Sequence, residues 1–272
     1  MKKFLSVFTL LLSMALGALY LYSLLRWTDA STGFATQGST SLRYFAMLVP
    51  VLFALLTGWC VDSKKYFQDF GRKSGLVLLP VSVASEIYGF MTILSVFFGE
   101  EIPLSSHHMT ATLALLGDCA ELLRAVLFIL FGVWGLMLFF EKYLETPGSS
   151  MLYLGVAGSA AFFVHTVLRF LVQPASLYRI PPAVEILAAL AALLFVTSYL
   201  RAHYLPGRQG GTRSVCRNGL LAFFFCTCLA FPQAIWQAAS GVSSPVTVPL
   251  AAALGLTGLW GAAISMGTIW DN

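Results

Sequence analysis

The sequence predicts an all-α fold, a polytopic bundle of about eight transmembrane helices that forms a single domain over residues 1–272. Hydrophobic residues make up 58% of the chain, charged residues only 10%, and the mean hydropathy is +0.81. A soluble domain carries about 25% charged residues. The apolar residues are gathered in runs of the length that crosses a bilayer core, about 20 residues. These runs lack the ten-residue alternation that is typical of membrane β-strands.

Eight apolar runs are long enough to cross a membrane as helices, and each contains few charges or none. The fourth run could begin earlier than its apolar core, because His108–Leu116 is also mostly apolar. The predicted spans are Phe4–Leu25, Tyr44–Val61, Gly75–Phe98, Glu121–Phe140, Met151–Val172, Pro181–Leu200, Gly219–Ala239 and Val246–Trp270.

The first span follows Lys2 and Lys3 and therefore has to be compared with a secretory signal peptide. Its apolar stretch is longer than the roughly 7–15 residues of a signal sequence, and no good small-residue cleavage site follows it. We therefore expect an uncleaved anchor helix.

Lys and Arg residues in the connecting segments predict the orientation of the bundle, because they accumulate on the cytoplasmic side. With the N-terminus inside, eleven of them fall on the cytoplasmic side and four on the other. The opposite side also receives the acidic segment GEEIPLSSHHM. The sequence thus predicts a multi-pass protein of the cytoplasmic membrane, with both termini on the cytoplasmic side.

The net charge of +4 has its origin in the predicted cytoplasmic loops. Basic residues there set the topology and contact anionic headgroups. The chain has no basic run with interleaved aromatic residues, so we expect the lipid bilayer as a partner and no nucleic acid.

Metal and haem sites find little support in the sequence, and we expect no cofactor. Cys226 and Cys228 are two apart, which on a helix turns their side chains about 200° away from each other. His107 and His108 stand beside acidic residues, but without the spacing of a zinc site. We therefore expect Cys226 and Cys228 to be small buried side chains.

Ionisable and amide residues inside the spans are the strongest candidates for function, because a charge at membrane depth costs about 2.5–3.5 kcal/mol. With the predicted orientation, Glu86 lies near the middle of its span and the others fall in the outer half. The carboxylates would bind a cation or a proton, and the arginines would neutralise them or hold an anionic group. The predicted site comprises Glu86, Asp118, Glu121, Arg124, His165, Arg169, Gln233 and Gln237.

Structural interpretations of the same residues stay open. Glu185 follows two prolines and Asp118 precedes the predicted fourth span, so each carboxylate could complement or cap a helix N-terminus. Glu121 and Arg124 are three residues apart and could pair along one helix.

Pairing between helices is another structural interpretation. His165 and Arg169 could join Glu185 or Glu86 as interhelical contacts, a common use of polar residues in membrane bundles. Glu86 has no cation near it in sequence, so it must be neutral, paired with another helix, or wet.

Small residues and prolines in the spans predict packing features rather than ligand contacts. Gly155 and Gly158 lie on one stripe of the fifth span, where we expect close approach of a neighbouring helix. Pro232 in the seventh span predicts a packed kink.

No enzyme motif supports a catalytic assignment. The chain lacks a nucleophile elbow, a zinc-protease motif, a phosphate-binding glycine loop with lysine, and the kinase set. Acid–base chemistry by Glu86 or Glu121 with His165 stays open as an alternative.

The segment LYSLLRWTDASTGF, which leaves the first span, resembles a pattern in uncharacterised polytopic membrane proteins of anaerobic Gram-positive bacteria. The matching residues are Arg26, Asp29, Thr32 and Gly33, and the resemblance covers about the first 34 residues. It implies a bacterial inner-membrane protein and brings no activity with it. The same residues are also typical of an ordinary Asx-type turn.

Together these patterns favour a small permease or solute-binding membrane protein with a polar cavity in the outer leaflet. The alternative is a non-catalytic membrane sensor or accessory subunit, whose buried charges are structural and whose partner is another membrane protein.

Overall fold

The computed structural model describes residues 2–29, 32–61, 72–98, 111–143, 152–172, 178–205, 210–242 and 246–270. These residues form nine α-helices and one π-helical segment. The helices are α1 (Lys2–Trp27), α2 (Thr40–Trp59), α3 (Arg72–Phe98), α4 (Ala111–Tyr143), α5 (Leu152–Val172), α6 (Ile180–Tyr204), α7 (Gly211–Ala222), α8 (Phe231–Ala239) and α9 (Thr247–Trp270), with the π-helical segment Phe223–Ala230 between α7 and α8.

Eight of these helical stretches are long and apolar enough to cross a membrane, where α7, the π-helical segment and α8 count as one. The predicted all-α class and the number of spans are confirmed. Two helices start before the predicted spans: α4 begins at Ala111, ahead of Glu121, and the seventh stretch begins at Gly211, ahead of Gly219. An earlier start of the fourth helix was left open by the apolar residues His108–Leu116. The helices continue past their apolar cores because the polar residues there do not break a helix.

The helices alternate in direction, as residue contacts between neighbours demonstrate. Thr9 of α1 bonds to Thr57 of α2, near the start of one helix and the end of the other. In the same way, Arg169 near the end of α5 forms an ion pair with Glu185 near the start of α6. We call the end where α1 finishes and α2 begins the upper end, and the opposite end the lower end.

The seventh stretch and α9 occupy the centre of the bundle. In each of them 61% of the most apolar 18-residue segment is buried inside the protein, compared with 28% in α1 and in α2. Glycines permit the close approach: a Cβ on Gly219 of α7 would meet the carbonyl oxygen of Gly261 of α9 at 2.5 Å. Backbones in contact through small residues are typical of helix packing in membranes.

The π-helical segment ends at Ala230, two residues before Pro232, and this proline explains its position. Proline has no N–H to donate and its ring clashes with the carbonyl one turn earlier. The N–H of Phe231 bonds to the carbonyl of Cys226, five residues back, instead of four. Local widening of the helix is one of the ways a transmembrane helix accommodates proline, so Pro232 is packed within a continuous helical stretch.

A short loop closes the upper end between α1 and α2. Gly33 adopts a positive φ of 71°, a conformation that glycine reaches without strain. The hydroxyl of Thr32 donates a 2.7 Å hydrogen bond to the carboxylate of Asp29, and the N–H of Gly33 donates to the Asp29 carbonyl at 2.8 Å. Arg179, at the start of α6, donates to the carbonyl of Thr32 at 2.9 Å. The loop therefore fastens the beginning of α6 to the end of α1.

Candidate functional site

Four elements meet at the upper end around the carboxylate of Glu185 in α6. Arg169 of α5 forms an ion pair with this carboxylate. From α8, Gln233 donates to it at 2.9 Å and Gln237 at 3.4 Å. Tyr20 of α1 completes the set through a 2.6 Å bond to Gln233. We call these five residues the Arg169 group.

Gln233 is fully buried and uses both ends of its amide. Its oxygen accepts from Tyr20, and its nitrogen donates to Glu185 and to the carbonyl of Pro181 at 3.0 Å. A buried amide without such partners would lose the free energy of its contacts with water. The side chain thereby ties α1, α6 and α8 together.

A second set of polar residues lies between α3, α4 and α5. Arg124 forms an ion pair with Glu121 three residues earlier and contacts Nδ1 of His165 at 3.0 Å. The Arg124 guanidinium carbon stands 5.6 Å from the ring centre of Tyr88 in α3, within the range of a cation–π interaction. All four residues are buried. We call them the Arg124 group.

The contact between Arg124 and His165 assigns the proton on the imidazole. A guanidinium can only donate hydrogen bonds, so Nδ1 of His165 has to accept. The ring is then neutral and carries its proton on Nε2. With Glu121 ionised and Arg124 charged, the formal charge of the Arg124 group is zero.

The Arg124 group contains two buried polar atoms without a partner among the described residues, Nε of Arg124 and the hydroxyl oxygen of Tyr88. The third such atom in the described part of the chain is Nε1 of Trp260. That indole lies among the rings of Phe195 and Tyr199, an apolar setting. The Arg124 group therefore contains polar atoms, next to a charged guanidinium, that form no hydrogen bond within the described residues and are free to bond to a ligand.

Glu86 lies outside both groups. It packs against Gly132 of α4, where an added Cβ would be 2.7 Å from the Cγ of Glu86. Gly132 is eight residues after Arg124, a distance of about 12 Å along the helix. The carboxylate of Glu86 is half-buried, and no described residue forms a hydrogen bond or ion pair with it.

Asp118 lies inside α4, seven residues after its first residue. It is therefore not the N-cap of this helix, and that interpretation is wrong. It is half-buried, three residues before Glu121, and within the described ranges its carboxylate has no hydrogen bond.

Several structural interpretations of the polar residues are tested by these contacts. The pairing of Glu121 with Arg124 and that of Arg169 with Glu185 are confirmed. The reading of Glu185 as a first-turn partner of the helix dipole is wrong, because α6 begins at Ile180 and Glu185 lies beyond the first turn.

Of the eight predicted site residues, six belong to one of the two groups, and α5 joins the groups because His165 and Arg169 are one turn apart. Sequence reasoning left three members out of the predicted site: Tyr20, Tyr88 and Glu185. The sequence offers Glu185 as one of two carboxylates that could pair with Arg169, and it does not decide between Glu185 and Glu86. The two tyrosines carry no signal of their own in an apolar span.

Metal coordination has no support in the part of the chain that the structure describes, which contains no cluster of three His, Cys, Asp or Glu residues suited to an ion. The predicted acidic and histidine loop falls outside those residues. Cys226 and Cys228 are both buried, and the thiol of Cys226 donates to the carbonyl of Ala188 at 3.1 Å.

Comparison with protein-family models, with curated proteins and with solved structures finds no match in any of the three. The resemblance of the first 34 residues to a bacterial membrane family therefore stays a prediction.

Proposed function

We propose that this multi-pass membrane protein is a small-solute permease or solute-binding protein of a bacterial cytoplasmic membrane, and that its solute binds at the Arg124 group. The observation that carries the proposal is the pair of unpartnered buried atoms, Arg124 Nε and Tyr88 Oη. A buried polar group without a hydrogen bond costs about 1–3 kcal/mol. A solute that accepts from both atoms would recover this free energy.

The two groups have different roles in this proposal. In the Arg169 group no buried polar side-chain atom of the described residues lacks a partner, so its function is to hold α1, α5, α6 and α8 together. The Arg124 group retains unused donors and therefore is the ligand site. Glu86 and Asp118 remain candidates for a solute pathway, since neither carboxylate is paired within the described residues.

The chemistry of the Arg124 group favours a solute with an acceptor oxygen. An N–H of arginine can only donate, and a tyrosine hydroxyl can donate as well. The formal charge of the group is zero, so an anionic solute would leave one negative charge uncompensated unless a proton entered with it. Glu121 contacts Arg124 and could take that proton, whereas the free lone pair of His165, on Nδ1, already accepts from Arg124. The site therefore suits a neutral polar solute, or an anion that binds together with a proton.

A thermal-shift screen of the detergent-purified protein tests the proposal. Ions, amino acids, sugars, nucleosides and carboxylic acids would be the probes, and at a concentration of 100 times the dissociation constant a ligand stabilises the fold by about 2.7 kcal/mol. Tyr88→Phe removes one unpartnered hydroxyl and Tyr20→Phe serves as the matched control in the other group. We expect a ligand whose shift is lost in Tyr88→Phe and Arg124→Gln and retained in Tyr20→Phe.

The outcome that contradicts the proposal is a screen without any stabilising solute, or a shift that Tyr88→Phe and Arg124→Gln leave intact. The alternative function, a sensor or accessory subunit with structural charges, is favoured by the complete pairing within the Arg169 group. It predicts that variants of both groups change only the stability, and that the protein co-purifies with a membrane partner through detergent extraction.

A further inference from the structure

A groove runs along the outside of the bundle at its lower end, between α2 and α7. It has a volume of about 410 Å³, and both of its walls belong to helices that are long and apolar enough to cross the membrane. The residues that line it are Leu52, Leu55, Leu56, Trp59, Arg213 and Arg217.

The α2 wall of the groove is apolar and exposed. Leu52 is 57% exposed, Leu56 48% and Trp59 74%. In a transmembrane helix such a face contacts acyl chains, and tryptophan is typical of the level where chains meet headgroups. This wall therefore offers a surface for a lipid tail that ends at the position of Trp59.

The α7 wall carries two arginines at that same level. The guanidinium carbon of Arg213 stands 5.5 Å from the ring centre of Trp59, and one of its nitrogens donates to the Trp59 carbonyl at 3.4 Å. Nε of Arg217 donates to Asn218 at 3.2 Å. Each guanidinium has five N–H donors, so most of them are not used in these contacts. Within the described residues neither arginine forms an ion pair with a carboxylate.

Close packing holds the two walls in register. A Cβ on Gly58 of α2 would lie 2.7 Å from the Cβ of Arg217, so the Arg217 side chain starts directly against α2. The charged ends of both arginines thus stand next to the apolar strip rather than on a separate surface.

We propose that this groove binds an anionic phospholipid of the bilayer, with its phosphate at Arg213 and Arg217 and one acyl chain along Leu52, Leu55 and Leu56. We choose this occupant because the charges are complementary: two arginines, which form no ion pair with any carboxylate in the part of the chain that the structure describes, stand beside an apolar, lipid-facing strip. Guanidinium groups bind phosphate with paired hydrogen bonds. With the predicted N-in orientation, the site lies in the cytoplasmic leaflet, whose surface is negative.

Native mass spectrometry and thermal shift of the full chain in detergent test this site with phosphatidylglycerol and phosphatidylcholine. We expect phosphatidylglycerol to bind more tightly and to raise the melting temperature. In the double variant Arg213→Gln, Arg217→Gln its apparent affinity falls at least about ten-fold, the loss expected when charge-assisted hydrogen bonds are removed. Arg201→Gln is the matched control, because Arg201 is exposed near the lower end of α6 and outside the groove.

A second variant keeps the test decisive if the double variant folds poorly. Leu56→Trp places a larger side chain in the apolar strip without changing the charge, and we expect it to weaken phosphatidylglycerol binding as well. Equal binding of both lipids, or unchanged phosphatidylglycerol binding in the double variant and in Leu56→Trp, overturns the proposal. Inorganic phosphate is the third probe: a shift as large as that of the lipid would identify a free-anion site and overturn it too.

Discussion

Tyr20 of α1 donates a 2.6 Å hydrogen bond to Gln233 of α8, 213 positions further along the chain. Both side chains are buried at the upper end of the bundle. The bond belongs to a set of contacts that continues through Glu185 to Arg169. This connection between the first and seventh stretches makes the Arg169 group a determinant of how the bundle closes.

Removal of the Gln233 amide is expected to destabilise the protein. Gln233→Leu leaves the Tyr20 hydroxyl without its acceptor and deprives the Glu185 carboxylate and the Pro181 carbonyl of a donor, and we expect a loss of about 1–3 kcal/mol. A double-mutant cycle with Tyr20→Phe isolates their direct bond, for which interhelical values in membranes average about 0.6 and reach about 1.7 kcal/mol. Chemical unfolding in mixed micelles measures both. Strictly additive losses would mean that the two residues do not interact.

The ion pair between Arg169 and Glu185 predicts a specific order of stabilities. Glu185→Gln alone leaves the Arg169 guanidinium without its counter-charge. The double variant Arg169→Gln, Glu185→Gln contains neither charge, so no charge is left unpaired. The side chains are 24% and 15% exposed, so we expect the single change to cost only about 1–3 kcal/mol. The double variant should be more stable than Glu185→Gln in thermal unfolding. The reverse order would contradict a direct pair.

Tyr88 and Tyr20 allow a buried hydroxyl without a hydrogen-bond partner to be compared with one that has a partner. Tyr88→Phe removes a buried oxygen that has no partner among the described residues, so the ligand-free protein should keep its melting temperature or gain stability. Tyr20→Phe removes a donor to Gln233 and should cost about 1 kcal/mol. Differential scanning fluorimetry without added solute compares the two. A clear loss in Tyr88→Phe would indicate that its hydroxyl is already bonded.

The contact between α4 and α5 predicts the effect of one methyl group. A Cβ on Gly158 would lie 2.6 Å from the Cα of Phe131, and this atom is backbone that cannot turn aside. We expect Gly158→Ala to cost about 1–3 kcal/mol. Gly211→Ala is the control, because its nearest neighbour is the Cβ of Ala202 at 3.3 Å, and we expect a change within about 1 kcal/mol. Equal effects on the unfolding free energy would argue against the close approach at Gly158.

Cysteine labelling checks the predicted N-in orientation. Cys60 is exposed at the lower end, after α2, and Ser240 is exposed at the upper end, after α8. In a Cys119→Ala background, Ser240→Cys should react with a membrane-impermeant maleimide on intact cells. Cys60 should react only after permeabilisation. The opposite pattern would place the polar groups near the cytoplasmic face.

The polar residues of the fold could be predicted as a set but not as pairs. The sequence identifies Arg169, His165, Gln233 and Gln237 as polar residues whose burial in a membrane costs free energy. The alternating directions of the helices bring these four residues to one end of the bundle. The sequence assigns no partner to Arg169, because both Glu86 and Glu185 are compatible with an interhelical pair. The structure places Glu185 against Arg169 and leaves Glu86 against Gly132, since helix rotation and depth decide which side chains meet.

The ends of the helices and the hydrogen-bond partners of the tyrosines could not be predicted from the sequence either. Asp118 was a reasonable cap at the edge of an apolar run, yet α4 continues through it because Asp is tolerated within a helix whose other residues pack well. Tyr20 and Tyr88 are apolar enough to be ordinary span residues, and only burial reveals whether a hydroxyl has a partner.

The sequence by itself determined the class of this protein, its number of helical spans and the polar residues that those spans contain, because the bilayer requires apolar runs of a defined length. The tertiary structure decided which of these polar residues satisfy one another. Glu185, Gln233 and Tyr20 do so across three helices, and Arg124 and Tyr88 retain unused atoms. The reason is geometric: a hydrogen bond depends on a few tenths of an ångström and on direction, and only the packed rotation of each helix supplies both.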